Sequence, residues 1–164
     1  MRSRGCYISR TDKDVAKNMD NTRNTNVIAI DPGTEKCGLA VLDECGQVRV
    51  QEIVAVENLA QRVAQVAKKY APAVLVIGDR TGSRKFLELL EREGITRLVK
   101  RVEAVDEHLT SQEARKRYLE RRRNRSLLYK LIPLGMQVPD RPYDDYVAVI
   151  LAERYLRQRG NRLH

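Results

Sequence analysis

From residue 26 onward the chain alternates between short apolar runs and longer stretches in which apolar residues recur every three or four positions. Val27-Ile28-Ala29-Ile30 is apolar throughout, stops at Asp31 and meets Pro32-Gly33 at once, so Val27–Asp31 reads as a strand ending in a turn. Gly38–Asp43 reads as a second strand and Gln47–Val54 as a third, joined through Glu44-Cys45-Gly46, a short glycine-containing turn suited to a hairpin. Within the third, Val48-Arg49-Val50-Gln51 alternates as a half-exposed strand does. The period then changes. Leu59, Val63, Val66 and Tyr70 share one face of a helix that must end before Pro72. Ala73–Gly78 is short and wholly apolar, the pattern of a strand buried on both faces. Ser83 can cap a helix through Glu93, with Phe86, Leu89 and Leu90 inward and Gly94 closing it. Leu98–Val105 reads as a further strand. Thr110-Ser111-Gln112-Glu113 has the form of a capping box, opening a helix that runs toward Arg123.

Between residues 124 and 142 the pattern is mixed. Leu127, Leu128, Leu131 and Ile132 fit a helical turn or two, and Pro133, Pro139 and Pro142 then imply an extended connection. The last helix begins near Tyr143 and carries Val147, Ile150, Leu151 and Tyr155 on one side. The order β-β-β-α-β-α-β-α-α is an antiparallel meander followed by αβ units, which implies a mixed sheet with helices on its faces. Residues 1–25 have few apolar positions and no sustained period, and are expected to form a polar, disordered tail. Residues 26–160 then make one domain, of a length that can bury a real core.

Charge changes the picture next. Lys and Arg total 31 against 22 Asp and Glu, a net charge of +9. That excess favours a polyanionic partner, and nucleic acid over a membrane surface, since no amphipathic or lipid-anchor signal accompanies it. Cys6, Cys37 and Cys45 form no CxxC pair and leave an odd thiol, as expected of a reducing, cytoplasmic setting. The N-terminal segment has no apolar export core, and the apolar run from Ala71 to Ile77, interrupted by Pro72, is far short of a membrane span; secretion and membrane spanning are both disfavoured.

Carboxylates recur where strands end or helices begin. Asp31 closes the first strand, Asp79 follows the strand ending at Gly78, Asp106 and Glu107 follow the strand ending at Val105, and Asp144 and Asp145 open the final helix. Turns favour Asp before Pro-Gly, and helix N-termini favour acidic residues, so each has an ordinary explanation taken singly. Together they point to a site beyond the carboxyl ends of the strands, where open α/β sheets gather their ligands. A buried Asp31 costs several kcal/mol unless its charge is compensated. Hard oxygen donors without His or Cys at ligand spacing suit Mg²⁺ or Mn²⁺ rather than zinc. Two such ions about 3.5–4 Å apart can activate a water and stabilise the leaving oxygen of a phosphodiester. Whether one ion or two is bound stays open at this level.

Asp31-Pro32-Gly33-Thr34 with Gly38-Leu39-Ala40-Val41, then Val105-Asp106-Glu107-His108-Leu109-Thr110-Ser111, then Asp144-Asp145-Tyr146-Val147-Ala148 resembles the YqgF group. These are pre-16S rRNA nucleases, also described as Holliday junction resolvases, in the RuvC-like part of the ribonuclease H-like superfamily. The similarity runs over about residues 26–157 and contains the three motifs in order. It implies a ribonuclease H-like α/β fold: a five-stranded mixed sheet in the order 3-2-1-4-5, flanked by helices. It also implies metal-dependent phosphodiester hydrolysis. By position, Asp31 matches the first-strand ligand, Glu107 the Asp-Glu motif and Asp144 the aspartate opening the last helix, with Asp145 as its substitute and Asp79 and Asp106 as additional candidates. Three features depart from the family pattern. His108 stands where an arginine usually follows Asp-Glu, Gly78-Asp79-Arg80 replaces Gly-Leu-Pro, and the proline-rich connection before Asp144 is longer than in compact members.

Arg115, Lys116, Arg117, Arg121, Arg122, Arg123 and Arg125 against Glu120 put +6 into eleven residues just after the second motif. Such a stripe can contact phosphates, giving affinity without sequence information. Arg115, Lys116, Arg121, Arg122, Arg123 and Arg125, with Lys36 and Arg80 near the carboxylates, are the candidate nucleic-acid contacts. Tyr118, Tyr129 and Tyr143 can stack on bases or pack in the core. The leading expectation is a structure-selective nuclease acting on an rRNA precursor or on branched DNA, as a monomer or homodimer. The alternative is a non-catalytic nucleic-acid-binding member of the same fold. A phosphate loop of the sugar kinase, Hsp70 and actin type is a distant third, because two such domains are needed around a nucleotide.

Overall fold

The computed structural model describes residues 26–79, 83–125 and 132–161. The tail 1–25, Arg80, the 127–131 leucines and Tyr129 lie outside the described residues. The elements are β1 (Val27–Asp31), β2 (Lys36–Leu42), β3 (Val48–Ala55), α1 (Val56–Tyr70), β4 (Val74–Gly78), α2 (Ser83–Arg92), β5 (Arg101–Val105), α3 (Thr110–Arg125) and α4 (Asp144–Asn161). Short 3-10 turns cover Ile95–Leu98 and Leu134–Met136. The five strands form one mixed sheet in the order β3-β2-β1-β4-β5, as the family resemblance implies. β1 pairs antiparallel with β2, and β2 with β3; β1 pairs parallel with β4, and β4 with β5.

The hairpin between β2 and β3 closes as its residues predict. Gly46 takes φ 78°, which suits a residue without Cβ, and the Asp43 carboxylate accepts from the backbone N–H groups of Cys45 and Gln47. α1 stops at Tyr70, two residues before Pro72, with Ala71 in the left-handed region at φ 43° and its N–H donating to Ala67 O. An alanine pays a steric cost there that glycine does not. Ala71→Gly is therefore expected to raise stability by about 0.5–1 kcal/mol, read as a higher thermal midpoint.

Period two divides the strands between two cores. Ile28, Ile30, Leu39, Val41, Leu75 and Ile77 face α1 and α2. Val27, Ala29, Ala40, Leu42, Val74, Val76 and Val105 face α3 and α4. β1 and β4 are buried on both faces, and each aliphatic side chain so removed from water contributes about 1.5–3 kcal/mol.

Three local expectations are corrected. The strand expected from Leu98 begins only at Arg101, because Gly94 at φ 70° leads into the 3-10 turn over Ile95–Leu98. The capping box does not form. Thr110 is already helical, its hydroxyl donates to Glu107 O, Glu113 N donates to Leu109 O, and the Glu113 carboxylate instead pairs with Arg117 and Arg154. Lastly, α4 is not one-sided: Tyr146 through Ala152 are all buried, because the helix lies between the sheet and α3. No helix among the described residues is long and apolar enough to cross a membrane.

Candidate active site

Alternation along β1 sets the direction of Asp31. Val27 and Ala29 face α4, so Asp31, two residues further, faces the same side at the carboxyl end of the strand. Gly38 of β2 is its register partner, and the β1–β4 register carried one step past Ile30↔Ile77 brings Gly78 to its other flank. By the same parity both glycines present to the α4 side. Strands lie about 4.8 Å apart, so Asp31 stands between two positions that have no side chain.

What occupies those two gaps is informative. A Cβ built on Gly38 would lie 1.9 Å from the backbone O of Asp144 and 3.0 Å from the N of Asp145. A Cβ on Gly78 would lie 1.5 Å from Glu107 Oε1, 2.4 Å from its Cδ and 2.7 Å from its Cγ. Thus the first turn of α4 sits on one flank of Asp31, and the Glu107 carboxylate fills the other. Asp31, Glu107 and Asp144, far apart in sequence, are brought to one end of one sheet face. The Cys37 thiol registers the same crowding. Burial pushes it up, the Gly33 backbone opposes, and the negative charges of Asp31 and Asp144 both push it up again.

Glu107 is buried and its turn is tightly made. Thr110 donates to Glu107 O from both its backbone N–H and its hydroxyl, at 3.0 and 2.7 Å. The turn passes through Leu109 at φ 60°, a conformation costing a non-glycine residue roughly 1–2 kcal/mol, which these bonds offset.

The other acidic candidates have different partners. Asp79 is exposed and its Oδ1 accepts from the Glu107 N–H at 3.2 Å, steadying the turn. Asp106 is exposed and accepts from His108 N at 2.7 Å. Asp145 is buried and is engaged by Gln51 Nε2 at 3.1 Å and by both terminal nitrogens of Arg141 at 3.2 Å. Removing its charge turns the Arg141 ion pair into a hydrogen bond to a neutral amide. Asp145→Asn is expected to cost about 1–3 kcal/mol, the Arg141 partner being nearly half exposed, while the folded molecules keep their activity. Chemical unfolding beside a nuclease assay separates the two effects.

Much of the basic stripe is committed within the chain. Arg115 donates to Gln137 O, Arg117 bonds both Glu113 and Glu153, and Arg122 bonds Val138 O and Asp140. The Glu153 and Glu113 partners hold the Arg117 guanidinium above its usual range. Lys36, Lys116 and Arg121 are exposed, Arg123 is half-buried, and Arg125 closes α3. Of the tyrosines, Tyr118 is buried and Tyr143 packs against the α4-side core, so packing accounts for both.

Tyr118 also ties the 132–143 connection down by donating its hydroxyl to Asp140. Burial and that bond push the tyrosine up, and the bond holds Asp140 below the usual carboxylate range. For Tyr118 the stabilisation is full below its ordinary range and lost as pH rises through the raised value. For Asp140 it is present above the ordinary carboxylate range and lost as pH falls through the lowered value. Tyr118→Phe should flatten both limbs of a stability-versus-pH curve measured by urea unfolding.

The donor set fits a hard divalent cation. Three carboxylate-bearing residues share one sheet end, and two glycines leave room for Glu107 and for α4. Among the described residues no three His, Cys, Asp or Glu side chains are gathered closely enough to hold an ion as they stand.

Comparison with known proteins bears on the fold and the family. The fold resembles Thermus thermophilus RuvC in complex with a Holliday junction substrate: TM-score 0.52, 19% identity, covering 83% of this chain and 96% of that one. It also resembles the fowlpox virus Holliday junction resolvase: TM-score 0.52, 12% identity, covering 82% and 99%. At such identities the likeness speaks for the fold. No curated protein matches the chain by sequence. A family model described as RuvX, Holliday junction resolvase, matches residues 25–158, which is nearly all of the chain beyond the tail, and the chain therefore belongs to the RuvX family.

Proposed function

We propose that the protein is a metal-dependent, structure-selective nuclease that hydrolyses phosphodiester bonds in branched DNA or in an rRNA precursor. The observation that carries this reading is the pair of glycines flanking Asp31, one covered by the Asp144 turn and the other by the Glu107 carboxylate. Asp31, Glu107 and Asp144 would hold Mg²⁺ or Mn²⁺, one ion or two. A bound ion of this kind lowers the pKa of a water and stabilises charge on a leaving oxygen. The chain's own part is to concentrate negative charge at one point, to hold Glu107 in place through the Thr110 turn, and to bring phosphate alongside with exposed basic residues such as Lys36 and Lys116. Asp79 and Asp106 support the turn rather than the reacting group. Family membership favours the four-way DNA junction as the first substrate to try.

The test is cleavage of an end-labelled four-way junction beside a 5′-extended rRNA fragment, in Mg²⁺, in Mn²⁺ and in EDTA, with the oligomeric state measured in the same buffer. Cutting of either substrate only with the divalent ion is the expected outcome. Tight binding with no cutting under any of these conditions would establish the non-catalytic reading instead. A resolvase that cuts paired strands should be a symmetric dimer, and a processing nuclease need not be.

A further inference from the structure

A second concave feature lies beside the proposed cutting site. A pocket of about 480 Å³ opens between α3, α4 and the edge of the sheet, and its wall includes Gln51, Arg121, Arg122, Arg141, Asp145 and Tyr146. Gln51 pairs with Ala40, two residues along β2 from Gly38, and Asp145 follows Asp144 directly. With a strand rise of about 3.3 Å per residue and strand spacing of about 4.8 Å, Gln51 in the pocket wall, two strands and two residues from Asp31, stands roughly 12 Å from it.

Its charges are not balanced. Arg122 pairs with Asp140 at 3.2 Å, and Arg141 pairs with Asp145 at 3.2 Å. Arg121 is exposed and has no ion-pair partner among the described residues; its Nη1 reaches only the Tyr146 hydroxyl, at 3.3 Å. The third guanidinium thus leaves the pocket net positive. The aromatic wall is not available for stacking. The Tyr118 and Tyr146 rings are buried, meet edge to face at 5.8 Å, and are covered by the Arg141 guanidinium at 5.2 and 5.9 Å. A pocket whose guanidinium has no carboxylate partner among the described residues, set over covered rings, selects an anion rather than a base.

We propose that this pocket binds a backbone phosphate of the nucleic acid, about two links from the bond being cut, with Arg121 as its principal donor. The inference rests on the nucleic-acid reading above, and deepens it by assigning a positioning contact. Arg121 pulls the strand into register while the carboxylates act on a link about two steps along. Arg115, Arg117 and Arg122 play a smaller part because their bonds are made inside the chain.

The test uses the full chain and a labelled four-way junction in EDTA, so that binding is read without cutting. Arg121→Ala is expected to weaken binding roughly 10-fold and to reduce the slope of log K against log salt by about 0.9, the signature of one phosphate contact. Arg121→Glu should weaken it further. Arg84→Ala, on exposed α2 across the sheet, should change neither quantity. Junctions carrying one neutral methylphosphonate at successive links then locate the contact. At one link within about two of the cut, the difference between Arg121→Ala and the unmodified protein should vanish. An unchanged affinity and salt slope overturn the proposal, and so does a difference that persists at every link, since the arginine then acts only through the general field. Cutting that survives with Arg121→Ala binding normally removes the pocket and leaves the nuclease standing. Loss of binding in a protein that never cuts removes the nuclease and leaves the pocket.

Discussion

Asp31→Asn is expected to abolish cutting, by about 10³-fold or more, while leaving binding of the substrate intact. The change keeps the shape of the side chain and removes one of the charges that would hold the ion. Partners that merely support metal ligands already cost about 10–100-fold when lost, so a direct ligand should exceed that range. Asp31 is also the residue on which the other two converge: Gly38 and Gly78 flank it, and Asp144 and Glu107 lie over those glycines. Single-turnover cleavage in Mg²⁺ measures the loss. A second readout is independent of activity. If an ion binds here, Mg²⁺ should raise the melting temperature of the unaltered protein, and Asp31→Asn should lose most of that rise. Without metal the variant should melt no lower than its parent, since removing one of several crowded carboxylates relieves repulsion. Cutting at an undiminished rate would end the proposal that these carboxylates act together.

The second large effect concerns the glycines, and the two should fail in different ways. Gly78→Ala places a methyl 1.5 Å from Glu107 Oε1, which is the end of a side chain able to swing away. The expected result is a folded protein, destabilised by about 1–3 kcal/mol, in which Glu107 is expelled from beside Asp31 and cutting falls about 10²-fold. Gly38→Ala places its methyl 1.9 Å from the backbone O of Asp144. A backbone cannot swing aside, and α4 is packed against the sheet on one side and α3 on the other. That substitution should cost about 3 kcal/mol or more, in stability before activity. Urea unfolding and single-turnover rates for both variants check the contrast. A Gly78→Ala protein that cuts at full rate would show that the position of Glu107 next to the β4 end is immaterial.

The strands were legible because a two-residue alternation or an unbroken apolar run leaves little choice of face. β1 begins and ends at Val27 and Asp31 as expected, and β4 differs by one residue. Boundaries failed where a backbone conformation, not composition, decided them. Gly94 at φ 70° turned the expected start of β5 into a 3-10 turn, and Thr110 gave its hydroxyl to Glu107 O instead of capping a helix. Asp144 and Asp145 are neighbouring carboxylates in the sequence, and only the family resemblance put Asp144 ahead of Asp145. Only the packing of α4 gives Asp145 to Arg141 and Gln51 and sets the Asp144 turn upon Gly38. The basic stripe looked like a single surface, yet its arginines divide between internal partners and solvent. No spacing rule reveals that Glu153, thirty-six positions away, is the acceptor for Arg117.

By itself, the order of residues determined which segments are strands and helices, the mixed character of the sheet, and the short set of carboxylates worth watching, because hydrophobic period and turn chemistry are local properties. The tertiary structure alone decided which carboxylates share a sheet end and which cations remain for a ligand. Those outcomes depend on register, on two missing Cβ atoms and on partners brought from distant parts of the chain, and such contacts exist only once the two cores have closed on the sheet.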